Sequence, residues 1–184
     1  MGTIKKTDSD TEEIFCAGFG GQGIMFMGKL FAEAALAAGR YVTWMPSYGA
    51  EVRGGTAYSM VKISKKEIAS PVVTNPSALI VMNKPSLLKY ENKVKPGGIL
   101  IANKSLIDEG PSRKDIKTVN IPMTALASSL GNTRCANMVA SGAFVKRSKM
   151  ITLRNVLAAL KEALKGKEDL FLLNKKALEK GYRL

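Results

Sequence analysis

A glycine-rich segment near the start of the chain has the residue types and spacing to hold an anion. Residues 18–23 read GFGGQG, which places Gly18, Gly20 and Gly23 at G-x-G-x-x-G spacing. A short apolar run at 14–17 precedes the segment and predicts a strand, and the long apolar run at 24–38 predicts a helix. Between a strand and a helix, such glycines permit a tight turn and let backbone N–H groups approach a negative charge. The same glycines also suit a plain connection, so both interpretations stay open.

A second loop, at residues 46–56, carries more distinctive chemistry. It contains Ser47, Glu51 and Arg53, followed by Gly54 and Gly55. A guanidinium group suits the clamping of a phosphate or a carboxylate. Arg53 could equally pair with Glu51 or with an acid on a partner chain, in which case the loop would be an interface without a ligand.

Several enzyme classes are excluded by what the chain lacks. It has no histidine, which argues strongly against a Ser-His-Asp hydrolase or a zinc enzyme. Its two cysteines are too few for an iron–sulfur cluster, and Cys16, inside the first predicted strand, is expected to be a small buried hydrophobe. The second strand lacks the terminal acid that would hold an NAD ribose, and no Gly-Lys-Ser/Thr phosphate loop follows the glycines. We therefore predict no catalytic residue and no metal site in this chain.

A net charge of +13 could indicate nucleic-acid binding, but the distribution of the lysines does not favour it. The lysines are scattered over outer helix faces, with few aromatic residues between them to stack bases. The alternatives are a solvated basic surface and attraction to acidic partners, such as a neighbouring subunit, a phosphate-bearing cofactor or a small acidic redox protein. No apolar run is long enough to span a membrane and no secretory signal is evident, so we expect a cytoplasmic location.

The order of the predicted elements indicates the fold class. Strands alternate with helices, which predicts a single domain over 1–184 with a flexible segment at 1–12. We expect a three-layer α/β/α sandwich with a Rossmann-like, mostly parallel sheet and a possible antiparallel edge at 57–73, including a short strand at 67–73. Loops after parallel strands gather at one edge, which would bring together 18–23, 46–56, Asn83, Asn103 and 122–124. Asn132 and Asn137 flank a helix start and are expected to be caps.

Taken in order, these residues resemble a known family. GFGGQG, SYGAEVRGG at 47–55, KPGG at 95–98 and GNTRCANMVASGA at 131–143 are similar to the gamma subunits of 2-oxoacid:acceptor (ferredoxin) oxidoreductases. The form of the second loop looks most like the 2-oxoglutarate enzymes, with branched-chain 2-oxoacid and pyruvate enzymes as alternatives.

The resemblance implies a function within a complex. Such an enzyme converts a 2-oxoacid and coenzyme A to acyl-CoA and CO2, and passes electrons to ferredoxin or a similar acceptor. Thiamine diphosphate with Mg and the iron–sulfur clusters are expected on alpha, beta and delta-type partner subunits, so the isolated chain should be inactive, and it could self-associate.

For this chain we expect contact with coenzyme A or with a partner subunit. The candidate residues are Gly18, Gly20, Gly21, Gln22, Gly23, Ser47, Arg53, Gly54 and Gly55. Two alternatives from other classes are a stand-alone nucleotide-binding oxidoreductase, which NADH or FAD would stabilise against heat, and a basic nucleic-acid-binding module with strongly salt-dependent affinity.

Overall fold

A six-stranded sheet lies at the centre of the structure, a computed structural model that describes residues 10–47 and 56–184. Its spatial order is β2-β3-β1-β4-β5-β6. The strands are β1 (Thr11–Phe19), β2 (Tyr41–Ser47), β3 (Thr56–Ser64), β4 (Ala78–Val81), β5 (Ile99–Asn103) and β6 (Lys117–Ile121). β1 begins inside the segment 1–12 for which we expected flexibility, and residues 1–9 lie outside the described part.

Strand direction confirms a mostly parallel sheet and corrects its antiparallel part. β1, β4, β5 and β6 pair in parallel, whereas β3 is antiparallel to both β1 and β2. β2 therefore runs in the same direction as β1, and β3 alone is reversed. The reversed strand is internal, not at the edge as expected, because an alternating pattern shows which face is buried but not which strands are neighbours.

The expected short strand at 67–73 is absent from the structure. This segment is held by side-chain contacts instead of a backbone ladder. Lys62 Nζ donates to the Val72 carbonyl at 3.0 Å, and the Val73 N–H lies 3.4 Å from Met60 Sδ. Pro71, which cannot donate a backbone hydrogen bond, stands in the middle of the segment.

Helices cover the two faces of the sheet unequally. The helices are α1 (Ile24–Ala37), α2 (Lys84–Tyr90), α3 (Met123–Ser128), α4 (Ala136–Val145), α5 (Leu153–Ala163) and α6 (Glu168–Tyr182). The larger core joins one face of the sheet to α1, α3, α4, α5 and α6, whereas α2 and neighbouring loops cover the other. None of the helices in the described ranges is long and apolar enough to cross a membrane.

Alternation along β1 divides its side chains between the two cores. Ile14 and Cys16 join the larger cluster, whereas Phe15 and Ala17 join the smaller one. All four are buried, as expected for a strand covered on both faces. The prediction that Cys16 is a buried hydrophobe is confirmed.

Two glycines allow α4 and α6 to pack with their backbones in contact. A Cβ at Gly142 would overlap the Leu178 carbonyl oxygen, and a Cβ at Gly181 would overlap the Val139 carbonyl oxygen. The small-residue stretch 140–143 is therefore a helix-packing surface. α5 begins as predicted at the cap Thr152, whose hydroxyl oxygen accepts from the N–H of Asn155 at 3.3 Å.

The fold shifts the pKa values of two neighbouring acids at the start of β1 in opposite directions. Burial raises the pKa of Glu12, although its carboxylate accepts from Ser148 Oγ and the Lys149 N–H, both at 2.6 Å. Burial would also raise the pKa of Glu13, but hydrogen bonds and positive charge from Lys95 and Lys62 outweigh that effect and lower it. Lys62 Nζ lies 3.0 Å from Glu13 Oε1.

Candidate functional site

The glycine-rich segment forms a tight turn at the edge where β1, β2, β4, β5 and β6 end, which we call the carboxyl edge. The turn is closed by a hydrogen bond from the Gln22 N–H to the Phe19 carbonyl at 3.2 Å. Gly21 and Gly23 have φ values of 89° and 72°, a region that glycine adopts without steric cost. α1 then begins at Ile24 with no side-chain cap. The strand–turn–helix context that gives the motif its meaning is therefore present.

Gln22 connects this turn to the neighbouring strand end. Its Oε1 accepts from the Phe19 N–H at 2.7 Å and from Asn83 Nδ2 at 3.1 Å. Asn83 Oδ1 in turn accepts from the Ser86 N–H at 2.9 Å and caps α2. The Gln22 N–H, one of the backbone donors that we expected to face a ligand, is used within the turn, and the side-chain carbonyl of Gln22 holds two loops together.

Gly18 is required by the position of the Gln22 side chain. A Cβ on Gly18 would lie 2.6 Å from Gln22 Oε1, 2.8 Å from Ile24 Cδ1 and 3.0 Å from Met82 Cβ. A Cβ on Gly20, by contrast, would have no heavy atom within 4 Å. The glycines of this one motif therefore have different roles. Gly18 leaves room for neighbouring side chains, Gly21 and Gly23 adopt positive φ values, and a side chain at Gly20 would meet no neighbouring atom.

A second amide continues the connection along the carboxyl edge. Asn103 is fully buried at the end of β5. Its Nδ2 donates to Thr124 Oγ1 at 2.9 Å and to the Met82 carbonyl at 3.3 Å. Gln22, Asn83 and Asn103, which we call the amide network, therefore join the ends of β1, β4, β5 and β6. Amides do not titrate, so this network positions groups and does not transfer protons.

A cavity of about 210 Å³ opens between the glycine turn and the start of α4. Its walls include Gly21, Gln22, Met82, Leu106, Thr124, Thr133, Arg134 and Ala136. Arg134 is exposed and forms no salt bridge within the described residues. A free guanidinium, two hydroxyl groups and a glycine turn suit a phosphate or carboxylate group.

Thr124, Thr133 and Arg134 were not among the predicted binding residues. We expected Thr124 at this edge, within the segment 122–124, but the sequence did not connect Thr133 or Arg134 with it, and all three lie more than a hundred positions from the glycines. The arginine inside GNTRC, two residues after a helix cap, is the signal that could have indicated them. Asn132 is that cap, because its Oδ1 accepts from the Arg134 N–H at 3.0 Å.

Asn137 contradicts the prediction that it is a cap. It lies inside the first turn of α4 and is 6% exposed. Its Nδ2 donates to the Gly23 carbonyl at 3.4 Å, and its Oδ1 has no partner within the described residues. A Cβ at Gly23 would overlap this side chain. Asn137 therefore connects α4 to the glycine turn and leaves one acceptor unused there.

The second predicted loop begins and ends at the same edge. Ser47, the last residue of β2, pairs with Tyr58, which pairs in turn with Ala17 of β1. Only β3 separates the end of β2 from the glycine turn. Arg53, Gly54 and Gly55 lie outside the described residues, so their roles stay predictions.

The titratable groups that the structure describes near the carboxyl edge offer no activated nucleophile. Burial raises the pKa of the Cys135 thiol, beside the cavity, and also that of Cys16, so neither forms a thiolate at neutral pH. No group of three or more His, Cys, Asp or Glu residues that could hold a metal occurs in residues 10–47 and 56–184. The residues described here fit an anion, not a metal or a thiamine site.

Comparison with known proteins identifies the family. The family described as "Pyruvate ferredoxin/flavodoxin oxidoreductase" matches residues 13–184. This range includes the glycine turn, the amide network and the start of α4. The chain belongs to this family.

Individual relatives carry different substrate names. Ketoisovalerate oxidoreductase subunit VorA of Methanothermobacter marburgensis is 33% identical over 166 residues, which cover 90% of this chain. This chain spans about a third of that protein, 34% of its length. The 2-oxoglutarate synthase subunit KorC of the same organism is 36% identical over 160 residues, covering 83% of this chain and 86% of KorC.

A solved structure gives the same fold. 2-Oxoglutarate:ferredoxin oxidoreductase from Magnetococcus marinus, determined with 2-oxoglutarate, coenzyme A and succinyl-CoA bound, aligns with a TM-score of 0.87 and 25% identity. The alignment covers 96% of this chain and 31% of that one. The present fold thus recurs as one part of a larger enzyme.

Proposed function

We propose that this chain is the gamma subunit of a multisubunit 2-oxoglutarate:acceptor oxidoreductase. The complex would convert 2-oxoglutarate and coenzyme A to succinyl-CoA and CO2, with the electrons passed to ferredoxin or a similar acceptor. KorC supports this proposal because the similarity covers most of both chains. VorA supports a branched-chain 2-oxoacid as the alternative substrate.

The chemistry of the carboxyl edge supports a binding role without catalysis by this chain. The amide network is neutral, and the cysteines, both buried, are fewer than the four thiolates of a typical cluster. Thiamine diphosphate with Mg and the iron–sulfur clusters are assigned in this proposal to alpha, beta and delta-type subunits. The isolated chain should therefore show no turnover of 2-oxoglutarate with coenzyme A and an acceptor.

We assign part of coenzyme A to the cavity at the carboxyl edge. Coenzyme A carries several phosphates, and beside the glycine turn the cavity presents the guanidinium of Arg134, which forms no salt bridge within the described residues. This juxtaposition is the observation that carries the proposal. At about 210 Å³ the cavity suits one phosphate-bearing end of the cofactor, not all of it. Arg53, with Ser47, Gly54 and Gly55, would approach from the neighbouring loop.

Kinetics of the reconstituted complex test this assignment. Arg134→Ala and Arg53→Ala should each raise KM for coenzyme A about 10- to 100-fold, the loss expected for a charge-assisted hydrogen bond to phosphate. KM for 2-oxoglutarate should stay unchanged. Arg154→Ala, which removes an exposed arginine on α5, is the matched control. An unchanged KM for coenzyme A in Arg134→Ala would remove the cavity from the coenzyme A site.

Substrate comparison separates the two enzyme classes. The complex purified with this chain should reduce its acceptor faster with 2-oxoglutarate than with 2-oxoisovalerate or pyruvate at equal concentration. A higher kcat/KM for 2-oxoisovalerate would establish the branched-chain alternative. This result is independent of the coenzyme A assignment, since the variants change only the cofactor site.

A further inference from the structure

A larger cavity lies at the opposite edge of the sheet, where β4, β5 and β6 begin. Its volume is about 820 Å³, within the range of small-molecule pockets. Its walls include Ser77, Lys95, Ile99, Lys117, Val119 and Arg147. β5 runs from Ile99 at this cavity to Asn103 in the amide network, a separation of about 13 Å at the rise of an extended strand. The cavity is therefore distinct from the proposed coenzyme A site, and we call it the amino-edge cavity.

The floor of the amino-edge cavity is apolar. Ile99 and Val119 are only partly buried and pack against the larger core. They lie on adjacent strands, β5 and β6, at the uncovered end of the sheet. A ligand with an apolar portion would remove this surface from water, which is favourable.

The rim carries positive charge that no Asp or Glu side chain of the described residues neutralises. Arg147 Nη1 donates to the Ala143 carbonyl at 2.7 Å, and Nη2 donates to a terminal carboxylate oxygen of Leu184 at 3.5 Å. These contacts orient the guanidinium through main-chain oxygens. Lys117 is exposed, and neither cation forms a salt bridge with an Asp or Glu side chain in the described ranges. Two cations are thus available to an anionic ligand.

Two acids at the start of β1, beside the cavity, are already engaged. Glu13 is paired with Lys95, the third cation of the rim, and with Lys62. Glu12, in a smaller adjoining cavity of about 230 Å³, is held by the hydrogen bonds to Ser148 and Lys149. Within the described residues, neither carboxylate forms a salt bridge with Lys117 or Arg147.

Side chains, not backbone amides, would hold the anion. The turn after Lys95 uses its N–H groups internally, because Gly97 donates to the Asp115 carbonyl at 2.7 Å and Gly98 to the Lys95 carbonyl at 2.8 Å. The Ser77 hydroxyl is also occupied, since it accepts from the Glu13 N–H and donates to the Glu13 carbonyl. The available donors are the two cationic side chains.

We propose that the amino-edge cavity binds a small molecule that combines an anionic group, carboxylate or phosphate, with an apolar portion. The apolar portion covers Ile99 and Val119, and the anion lies between Lys117 and Arg147. This site is separate from the reaction proposed above and does not depend on it.

Titration of the full chain, observed through ¹H–¹⁵N NMR spectra, tests the proposal. Phenyl phosphate and 3-phenylpropionate are the two anionic probes, and inorganic phosphate is the probe without an apolar portion. We expect saturable shifts of the Gly97, Gly98 and Val119 amide signals with at least one phenyl probe. Its affinity should exceed that of inorganic phosphate by about tenfold or more, because the ring buries apolar surface. The tighter phenyl probe identifies the preferred anion.

Two variants and a control make the test decisive. Lys117→Gln changes an exposed side chain, so the fold should be retained, and it should weaken binding of the phenyl probe about tenfold. Arg147→Gln should weaken it at least as much, with circular dichroism to check folding. Lys161→Gln, an exposed lysine on α5, should bind like the unmodified chain. Shifts that do not saturate, that are spread over exposed lysines elsewhere, or that are equal in Lys117→Gln and Lys161→Gln would overturn the proposal.

Discussion

Replacement of Gly18 by alanine should destabilise the chain through the side chain of Gln22. The added Cβ would lie 2.6 Å from Gln22 Oε1, closer than real Cβ contacts allow, so the amide must move. That movement breaks the bonds that Oε1 accepts from the Phe19 N–H and from Asn83. The variant therefore tests whether the amide network depends on the first glycine of the motif.

The magnitude follows from three contributions. Loss of two hydrogen bonds costs about 2 kcal/mol, and crowding against Ile24 and Met82 adds about 1–3 kcal/mol. Alanine restricts the unfolded chain and regains about 0.5–1 kcal/mol. The net loss in the free energy of unfolding is therefore about 2–4 kcal/mol. For a chain of this length, that corresponds to a fall in Tm on the order of 10 °C.

Unfolding by heat and by urea, followed by far-UV circular dichroism, measures this effect. Gly20→Ala is the matched control, because a Cβ there meets nothing within 4 Å, and its stability should change by less than about 0.5 kcal/mol. In a Gln22→Ala background, Gly18→Ala should cost about 1–2 kcal/mol less, since the displaced amide is gone. Equal midpoints for Gly18→Ala and Gly20→Ala would refute the reasoning.

Two further predictions concern stability away from the carboxyl edge. Glu13→Gln should destabilise the chain by about 1–3 kcal/mol at neutral pH. Because folding lowers the pKa of Glu13 below its ordinary 4.5, this stabilisation is present above that pH and is lost as the pH falls through the folded value. Urea unfolding of both proteins across acidic pH should show the difference closing, and a constant difference would contradict the assignment. Gly142→Ala should lower stability by about 1–3 kcal/mol despite the better helix propensity of alanine, because α6 must move away from α4; an unchanged Tm would show that the two helices are not in backbone contact.

Local patterns in the sequence predicted most of the helices and strands, but not which strands are neighbours in the sheet. Apolar periodicity predicts α1, and the continuous apolar run predicts β4, because buried positions are occupied by apolar residues. The antiparallel character of β3 was also foreseen. Its internal position was not, since the identity of the strand on each side depends on long-range pairing that an alternating pattern does not encode.

For the candidate site, too, the sequence predicted some features and missed others. The rule for parallel sheets correctly brought Gln22, Asn83 and Asn103 to one edge. It could not show that the side-chain carbonyl of Gln22 would accept hydrogen bonds from Phe19 and Asn83. A polar side chain in a loop has the same residue type whether it contacts a ligand or a neighbouring loop. Arg134 was missed because the start of α4 is far from the glycine turn in the sequence and comes close to it only in the folded chain.

The reversed strand β3 has an entropic consequence for the second loop. Because β2 and β3 are hydrogen-bonded neighbours, residues 48–55 connect Ser47, which pairs with Tyr58, to Thr56 at the start of β3. The cost of closing that loop is therefore met when the hairpin forms, before any ligand or partner arrives. Thr56 pairs with Phe19 of β1, so the point where the chain re-enters the sheet is fixed beside the glycine turn. The order of the strands thus keeps both ends of the second loop at the same edge of the sheet as the glycine turn.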